Sequence, residues 1–171
     1  MIISKIDGGI GNQMFQYAFG YALSRRNSSE HCIEHHAYTF RPRSYQLDNF
    51  CISSKVLSLP VPKANCKISK GIALIKRKLL LKFKYRVTEF FENRDGLYDY
   101  HKELYDIKSR NIYLDGFFQS WRYFQEYSDD IKKEFTAKKS IIRKNARELI
   151  RQVKDEHSVA VHIRKGDYPD E

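Results

Sequence analysis

The chain opens on a short apolar segment, Met1-Ile2-Ile3-Ser4-Lys5-Ile6, that runs straight into the glycine-rich turn Asp7-Gly8-Gly9-Ile10-Gly11. From Asn12 to Arg26, apolar and aromatic residues at Met14, Phe15, Ala18, Phe19, Ala22 and Leu23 follow helical spacing. Arg25 and Arg26 fall in the last turn of that helix, where its dipole favours cations, and Asn27-Ser28-Ser29 ends it. A second strand is expected around Cys32 to His35. Strand, turn, helix and strand in this order form a βαβ unit, whose strands run parallel. The opening therefore predicts an α/β domain with a mainly parallel sheet, reaching from Met1 to about Lys154, and not a helical bundle or a β-sandwich.

The remaining pattern fits that frame. Arg41 to Ser54 reads as loop and short elements, and Leu59-Pro60-Val61-Pro62 breaks the chain. Gly71 to Phe83 reads as a basic amphipathic helix, Arg86 to Phe91 as a strand, and Asn111 to Phe118 as another strand leading into Gln119-Ser120-Trp121. Trp121 to Phe135 and Ser140 to Lys154 read as helices, the latter with Ile141, Ile142, Ala146, Leu149, Ile150 and Val153 at helical spacing. Val159 to Ile163 is then expected to start a new strand.

Two segments could carry chemistry. The backbone N–H groups of the Gly8-Gly9-Ile10-Gly11 turn, together with the helix N-terminus behind it, attract anions. A plain tight turn is the competing account, and Asn12 suits helix capping as well as a ligand contact. The turn has neither the G-x-G-x-x-G spacing nor a P-loop, so no dinucleotide or ATP site follows from it. Near the other end, His162-Ile163-Arg164-Lys165-Gly166-Asp167-Tyr168 follows the expected strand. Alternation sets His162 and Arg164 on one strand face. Gly166 permits a sharp turn or a close ligand approach. An imidazole, a guanidinium fork and an open turn suit a phosphate. A structural strand histidine and an ion pair from Arg164 to Asp167 or Glu171 are the competing accounts.

Charge bounds the partners. With 31 Lys and Arg against 21 Asp and Glu, the net charge is +10, which favours anionic partners. Lys63 to Arg86 contains no acidic residue. That stretch admits two readings: a helix lying on an anionic membrane surface, or the favoured one, a helix packed on the core with solvated lysines at its rim. It is too short and too charged to span a bilayer. No zinc finger, aromatic strand motif or clear helix-turn-helix supports nucleic-acid binding, which leaves charge as the sole argument for that class. Cys32, Cys51 and Cys66 are odd in number and lack C-x-x-C spacing, which fits a reducing compartment better than a disulfide framework. Glu34, His35 and His36 are adjacent on a strand and splay to opposite faces, a poor metal set, and no metal is expected. The N-terminus lacks a signal-peptide pattern. The reading is a cytoplasmic protein, with peripheral contact at the inner membrane face as the alternative setting.

The blocks Gly8-Gly9-Ile10-Gly11-Asn12-Gln13-Met14-Phe15-Gln16-Tyr17-Ala18, Tyr45-Gln46-Leu47-x-x-Phe50, Gly116-Phe117-Phe118-Gln119-Ser120-x-x-Tyr123-Phe124 and His162-x-Arg164-x-Gly166-Asp167-Tyr168 occur in this order. Together they resemble the α1,2-fucosyltransferases of glycosyltransferase family 11. Where the family often has Asp at the end of the strand after the first helix, this chain reads Glu34-His35-His36. The resemblance implies a two-domain glycosyltransferase of the B type. Residues 1–155 would form its Rossmann-like, acceptor-side domain, and 156–171 the first strand and loop of the donor-binding domain. Family members are usually longer, so this chain alone is expected not to transfer fucose.

The implied reaction moves fucose from GDP-fucose to the 2-hydroxyl of a galactose-containing glycan, with inversion and without a cofactor or metal. Arg164 would stabilise charge on the leaving diphosphate. Asn12 would reach the donor phosphates and acceptor. Asp167 would orient Arg164 or act as base. Gly8, Gly9, Gly11, Gln13, His162, Gly166 and Tyr168 would contact substrate. A non-catalytic remnant and a basic nucleic-acid-binding module are the alternatives.

Overall fold

The computed structural model describes residues 1–35, 44–57, 59, 67–92, 99–159 and 161. Residues Met1–Thr136 form one compact unit, and a second unit begins at Ala137.

The first unit is built on five strands in the order β3-β2-β1-β5-β4, comprising β1 (Ile2–Ile6), β2 (His31–His35), β3 (Lys55–Val56), β4 (Thr88–Phe91) and β5 (Ile112–Asp115). Every pairing is parallel, with Ile2 opposite both His31 and Ile112, and Thr88 opposite Ile112. This is the α/β sheet that the βαβ opening predicts. The central strand β1 is buried at Ile2, Ile3, Ser4 and Ile6, as a strand covered on both faces must be.

Helix α1 (Ile10–Arg26) covers one face. There Phe19 and Leu23 meet Ile2, Ile112 and Leu114, with Phe118 and Tyr123 closing the cluster. The alternate strand positions Ile3, Cys32 and Tyr113 face the other way and meet Leu59 and Leu81. Leu81 belongs to a π-helical turn, Leu80–Lys84, that extends helix α2 (Lys67–Leu79). The close approach of α1 to the sheet depends on Gly20. A Cβ there would lie 1.9 Å from Ser4 Oγ and 2.5 Å from His31 Nε2.

Several elements depart from the sequence pattern. The strand expected to run to Phe118 stops at Asp115, because Gly116 and Phe118 (φ +50°) turn the chain away. The single helix expected over Trp121–Phe135 is two short 3-10 turns, Trp121–Tyr123 and Gln125–Tyr127, followed by helix α4 (Ser128–Glu134). Tyr123 is the cause: its ring is drawn into the core against Phe19 (centroids 4.8 Å apart), and its hydroxyl receives the His101 amide at 2.8 Å. A one-turn helix α3 (Lys102–Tyr105) and the short strand β3 lack the length to show as periodicity.

In the second unit, helix α5 (Lys144–Asp155) follows a 3-10 turn at Lys139–Ile141 and leaves Leu149, Ile150 and Val153 exposed. Of the strand expected over Val159–Ile163, Val159 and Val161 are described, and neither lies in a strand. His36, His162, Arg164, Gly166, Asp167, Tyr168 and Cys66 lie outside the described residues.

Candidate functional site

Ligands of open parallel sheets bind beyond the carboxyl ends of the strands, where the strand order reverses. Here that place lies between β1 and β5: the chain leaves β1 toward β2 and β3, then crosses to β4 and returns through β5. A cleft of about 570 Å³ occupies it, lined by Lys5, Asp7, Gln16, Phe91, Glu92, Asp115, Gly116 and Phe117.

Its floor is charged and internally matched. Lys5 at the end of β1 donates to both oxygens of Asp115 on β5, each at 2.9 Å. Glu92, buried just past β4, accepts the amides of Phe117 (2.5 Å) and Phe118 (3.0 Å). These bonds fix the turn after β5 and hold the Phe117 ring beside the cleft. Gly116 is required beneath them, since a Cβ would come within 2.4 Å of Glu92 Cβ. The backbone N–H of Gly8 donates to Asp7 Oδ1 at 2.5 Å.

Three amide side chains on the first turns of α1 join the surrounding loops. Gln16 accepts the Asp7 amide at 2.8 Å and donates to the Gly116 carbonyl at 3.0 Å, bridging the β1 and β5 turns. Gln13 donates to the carbonyls of Gly8 (2.9 Å) and Ser44 (3.0 Å) and accepts the Gln46 amide at 2.9 Å. Asn12 accepts from Gln119 Nε2 at 2.6 Å. Buried glutamines in helix interiors need such partners, and these have them.

The structure settles one of the alternatives left open for Asn12. The cap of α1 is Gly9, with no side-chain capping bond, and Asn12 is the third residue of the helix. Gly8 takes φ +80°, a conformation that side chains disfavour, and Gly11 is exposed with open space around its Cβ position. No acidic residue sits in the first turn of α1 itself, and the one carboxylate placed on the glycine turn among the bonds described is that of Asp7, on the Gly8 amide. Gly8, Gly9, Gly11, Asn12 and Gln13 follow Asp7, which lines the cleft, but none of the five is among its lining residues, and Gln13 serves as a bracket between loops.

Sequence reasoning missed Lys5, Asp7, Gln16, Glu92, Asp115 and Phe117. Gln16 stood inside the glycine block, four residues from Asn12 and so on the same helix side. Glu92 and Asp115 carry no local signal, because only the fold brings them to one edge. His35, at the end of β2, stacks on Tyr45 at 4.2 Å with the rings 7° apart. Glu34 is fully buried and structural: Arg77 holds both its oxygens, at 3.0 and 2.9 Å, and the Tyr113 hydroxyl donates to it at 2.5 Å. A second recess of about 570 Å³ is lined by Tyr100, Tyr105, Trp121, Arg122, Gln125 and Glu126.

A parallel α/β domain with a polar cleft at its strand-order reversal has the arrangement in which open α/β sheets place small ligands. The model of glycosyl transferase family 11 matches residues 1–171, and the chain belongs to that family. It is 29% identical over 175 residues to an α-1,2-colitosyltransferase of Escherichia coli, an alignment covering 98% of this chain and 55% of that protein. The chain thus spans about half the length of this curated relative. No solved structure matches it.

Proposed function

We propose that this chain supplies the acceptor-side, Rossmann-like half of a B-type glycosyltransferase that moves a 6-deoxy sugar from a GDP-sugar to the 2-hydroxyl of a galactoside. The observation that carries the reading is the cleft at the strand-order reversal, lined by Asp7 and Gln16 from either side of the glycine turn, in a chain of family 11. The E. coli relative's name supports 1,2-directed transfer of a deoxy sugar. Colitose is fucose without its 3-hydroxyl, so fucose and colitose are the two donors to compare.

In the proposed reaction the acceptor 2-hydroxyl oxygen attacks the sugar C1 as the bond from C1 to the β-phosphate oxygen breaks. The hydroxyl proton passes to a base, and the diphosphate leaves with added negative charge. Arg164, and the amides of Gly9, Ile10 and Gly11, are suited to that charge. His162 and Tyr168 would orient the donor over Gly166, and Asp167 would orient Arg164 or take the proton. In the described cleft, Phe117 and Phe91 offer aromatic faces to a sugar ring, and Asp7, Gln16 and the Lys5–Asp115 pair offer hydrogen-bonding groups to its hydroxyls.

The test joins residues 1–171 to the unmatched remainder of the E. coli relative and supplies GDP-fucose or GDP-colitose with methyl β-galactoside. An α1,2-linked product is expected, with Arg164→Lys lowering kcat at least about tenfold, roughly 1.4 kcal/mol of barrier. A folded chimera that makes another linkage, or an Arg164→Lys enzyme of normal turnover, would overturn the reading. Saturation-transfer NMR of the galactoside on the 171-residue chain checks the cleft separately, and Asn12→Ala with Gln16→Ala is expected to remove that signal.

A further inference from the structure

Over residues 71–79 of helix α2, the larger aliphatic side chains are exposed, while Ala73 is buried and Leu81 in the π-helical turn is 1% exposed. Ile72, Ile75 and Leu79 recur at i, i+3 and i+7 and so share one face. At about 100° per residue that face lies roughly opposite Ala73 and Arg77. They are 50, 60 and 48% exposed, and Phe83 beyond them is 67% exposed. An ordinary packed helix would turn the isoleucines inward.

The helix cannot roll to bury them. Arg77 reaches the sheet and grips Glu34 with both Nε and Nη2, and its guanidinium carbon lies 4.9 Å from the centre of the Tyr113 ring. That buried ion pair fixes the rotation of α2 about its axis and leaves the aliphatic stripe facing away from the sheet. On the helical wheel Lys76 and Lys78 border the stripe on its two sides, and Lys82 and Lys84 continue it past the π turn; all four are exposed. No acidic residue occurs anywhere in Lys63–Arg86.

We infer that α2 and its π-helical extension form a docking surface for an anionic lipid bilayer, lying flat with Ile72, Ile75, Leu79 and Phe83 in the acyl boundary. Lysines flanking the stripe can lay their methylenes along the lipid and raise their ammonium groups to phosphate headgroups. The charge pattern favours this occupant over a protein: a purely basic border matches a continuous negative surface, and the chain carries net charge +10. At about 1.5 Å per residue, a 13-residue helix reaches roughly 20 Å, enough to lie in one leaflet. No helix among the described residues is long and apolar enough to cross a membrane. The packed-helix reading favoured by the sequence is therefore half met: the helix packs, and its aliphatic stripe does not.

The test is cosedimentation of the 171-residue chain with vesicles of phosphatidylcholine containing one third phosphatidylglycerol, and with pure phosphatidylcholine. Binding is expected to the anionic vesicles and to weaken strongly between about 0.05 M and about 0.5 M salt, as screening shortens the reach of the lysines. Lys76→Gln with Lys78→Gln should weaken it roughly 25-fold at low salt, about fivefold per charge. Ile75→Asp with Leu79→Asp should lose at least about tenfold while leaving circular dichroism and urea stability unchanged, since both side chains are exposed. Equal binding to neutral vesicles, no binding to either, or unchanged binding by the Ile75→Asp/Leu79→Asp chain would overturn the inference. So would a doubled mass in sedimentation equilibrium that this variant restores to monomer, which would make the stripe a contact between copies.

Discussion

Replacing Arg77 by Met would remove the guanidinium that grips Glu34 while keeping an unbranched apolar stem. Glu34 is fully buried on β2, and the Arg77 side chain is 17% exposed, so this pair is poorly screened by solvent. In Arg77→Met the Glu34 carboxylate keeps the Tyr113 hydroxyl but loses its bidentate cationic partner. Breaking one side of a buried pair costs about 3–5 kcal/mol, against about 0–1 kcal/mol for a surface pair. A domain of this size is stable by only about 5–15 kcal/mol, so the loss is large. With a urea slope of about 2 kcal/mol/M, the midpoint should fall by about 2 M in urea titrations followed at the helical circular-dichroism band. The double variant Glu34→Leu/Arg77→Met removes both charges and should recover to within about 1.5 kcal/mol of the native chain. The pair's coupling in that cycle should then reach about 2 kcal/mol or more. A single Arg77→Met chain within about 1 kcal/mol of native would refute the reasoning, for α2 would then be held by its apolar contacts alone.

Three other outcomes follow from the same geometry. His31 is fully buried between Ser4 and Ser54, and burial pushes its imidazole down to about 3. The folded state keeps it neutral while the unfolded chain binds a proton below about pH 6.5, so its full contribution holds above that pH and drains at about 1.4 kcal/mol per pH unit toward pH 3. His31→Gln should flatten the stability–pH curve in that window, and an unchanged slope would contradict the assignment. Gly20→Ala should destabilise by about 1–3 kcal/mol in urea titration, with partial recovery in Gly20→Ala/Ser4→Gly, because the new methyl meets Ser4 Oγ at 1.9 Å. Gly8→Ala should lower stability by about 1–2 kcal/mol through its φ of +80° and weaken the galactoside binding proposed above through Asn12, whose Nδ2 lies 2.9 Å from the added Cβ.

The parallel sheet was legible because its signal is local. Met1–Ile6, the glycine turn and the helical stripe of α1 each declare themselves within a few residues, and two strands joined by a helix have little choice of direction. The strand order was not legible, since nothing in Thr88–Phe91 says that β5 will insert between it and β1. The helix expected after Gln119 failed for a related reason: Tyr123 is claimed by the core and by His101, and this tertiary demand breaks a segment whose spacing alone reads as helical. Glu34 entered the sequence reading as part of a poor metal set, and nothing in its own strand indicated Arg77, 43 positions away.

The glycine block illustrates why its residue types belong together. Gly8 supplies a left-handed turn, and Gly9 starts the helix without a side chain to cover its end. The next two turns then place Asn12, Gln13 and Gln16 where each amide reaches a different loop: Gln119 after β5, Ser44 and Gln46 after β2, and Asp7 with Gly116 at the mouth between β1 and β5. An amide can donate and accept at once without charge, so these side chains tie loops together beside the helix end and add no charge to that of Asp7 on the Gly8 amide. A carboxylate at any of the three would oppose the phosphate proposed there, and a lysine would compete for it. On this argument the block ties the loops around the cleft, with Asn12 held by Gln119 and Gln16 lining the cleft itself, so that the rim is set before a ligand arrives.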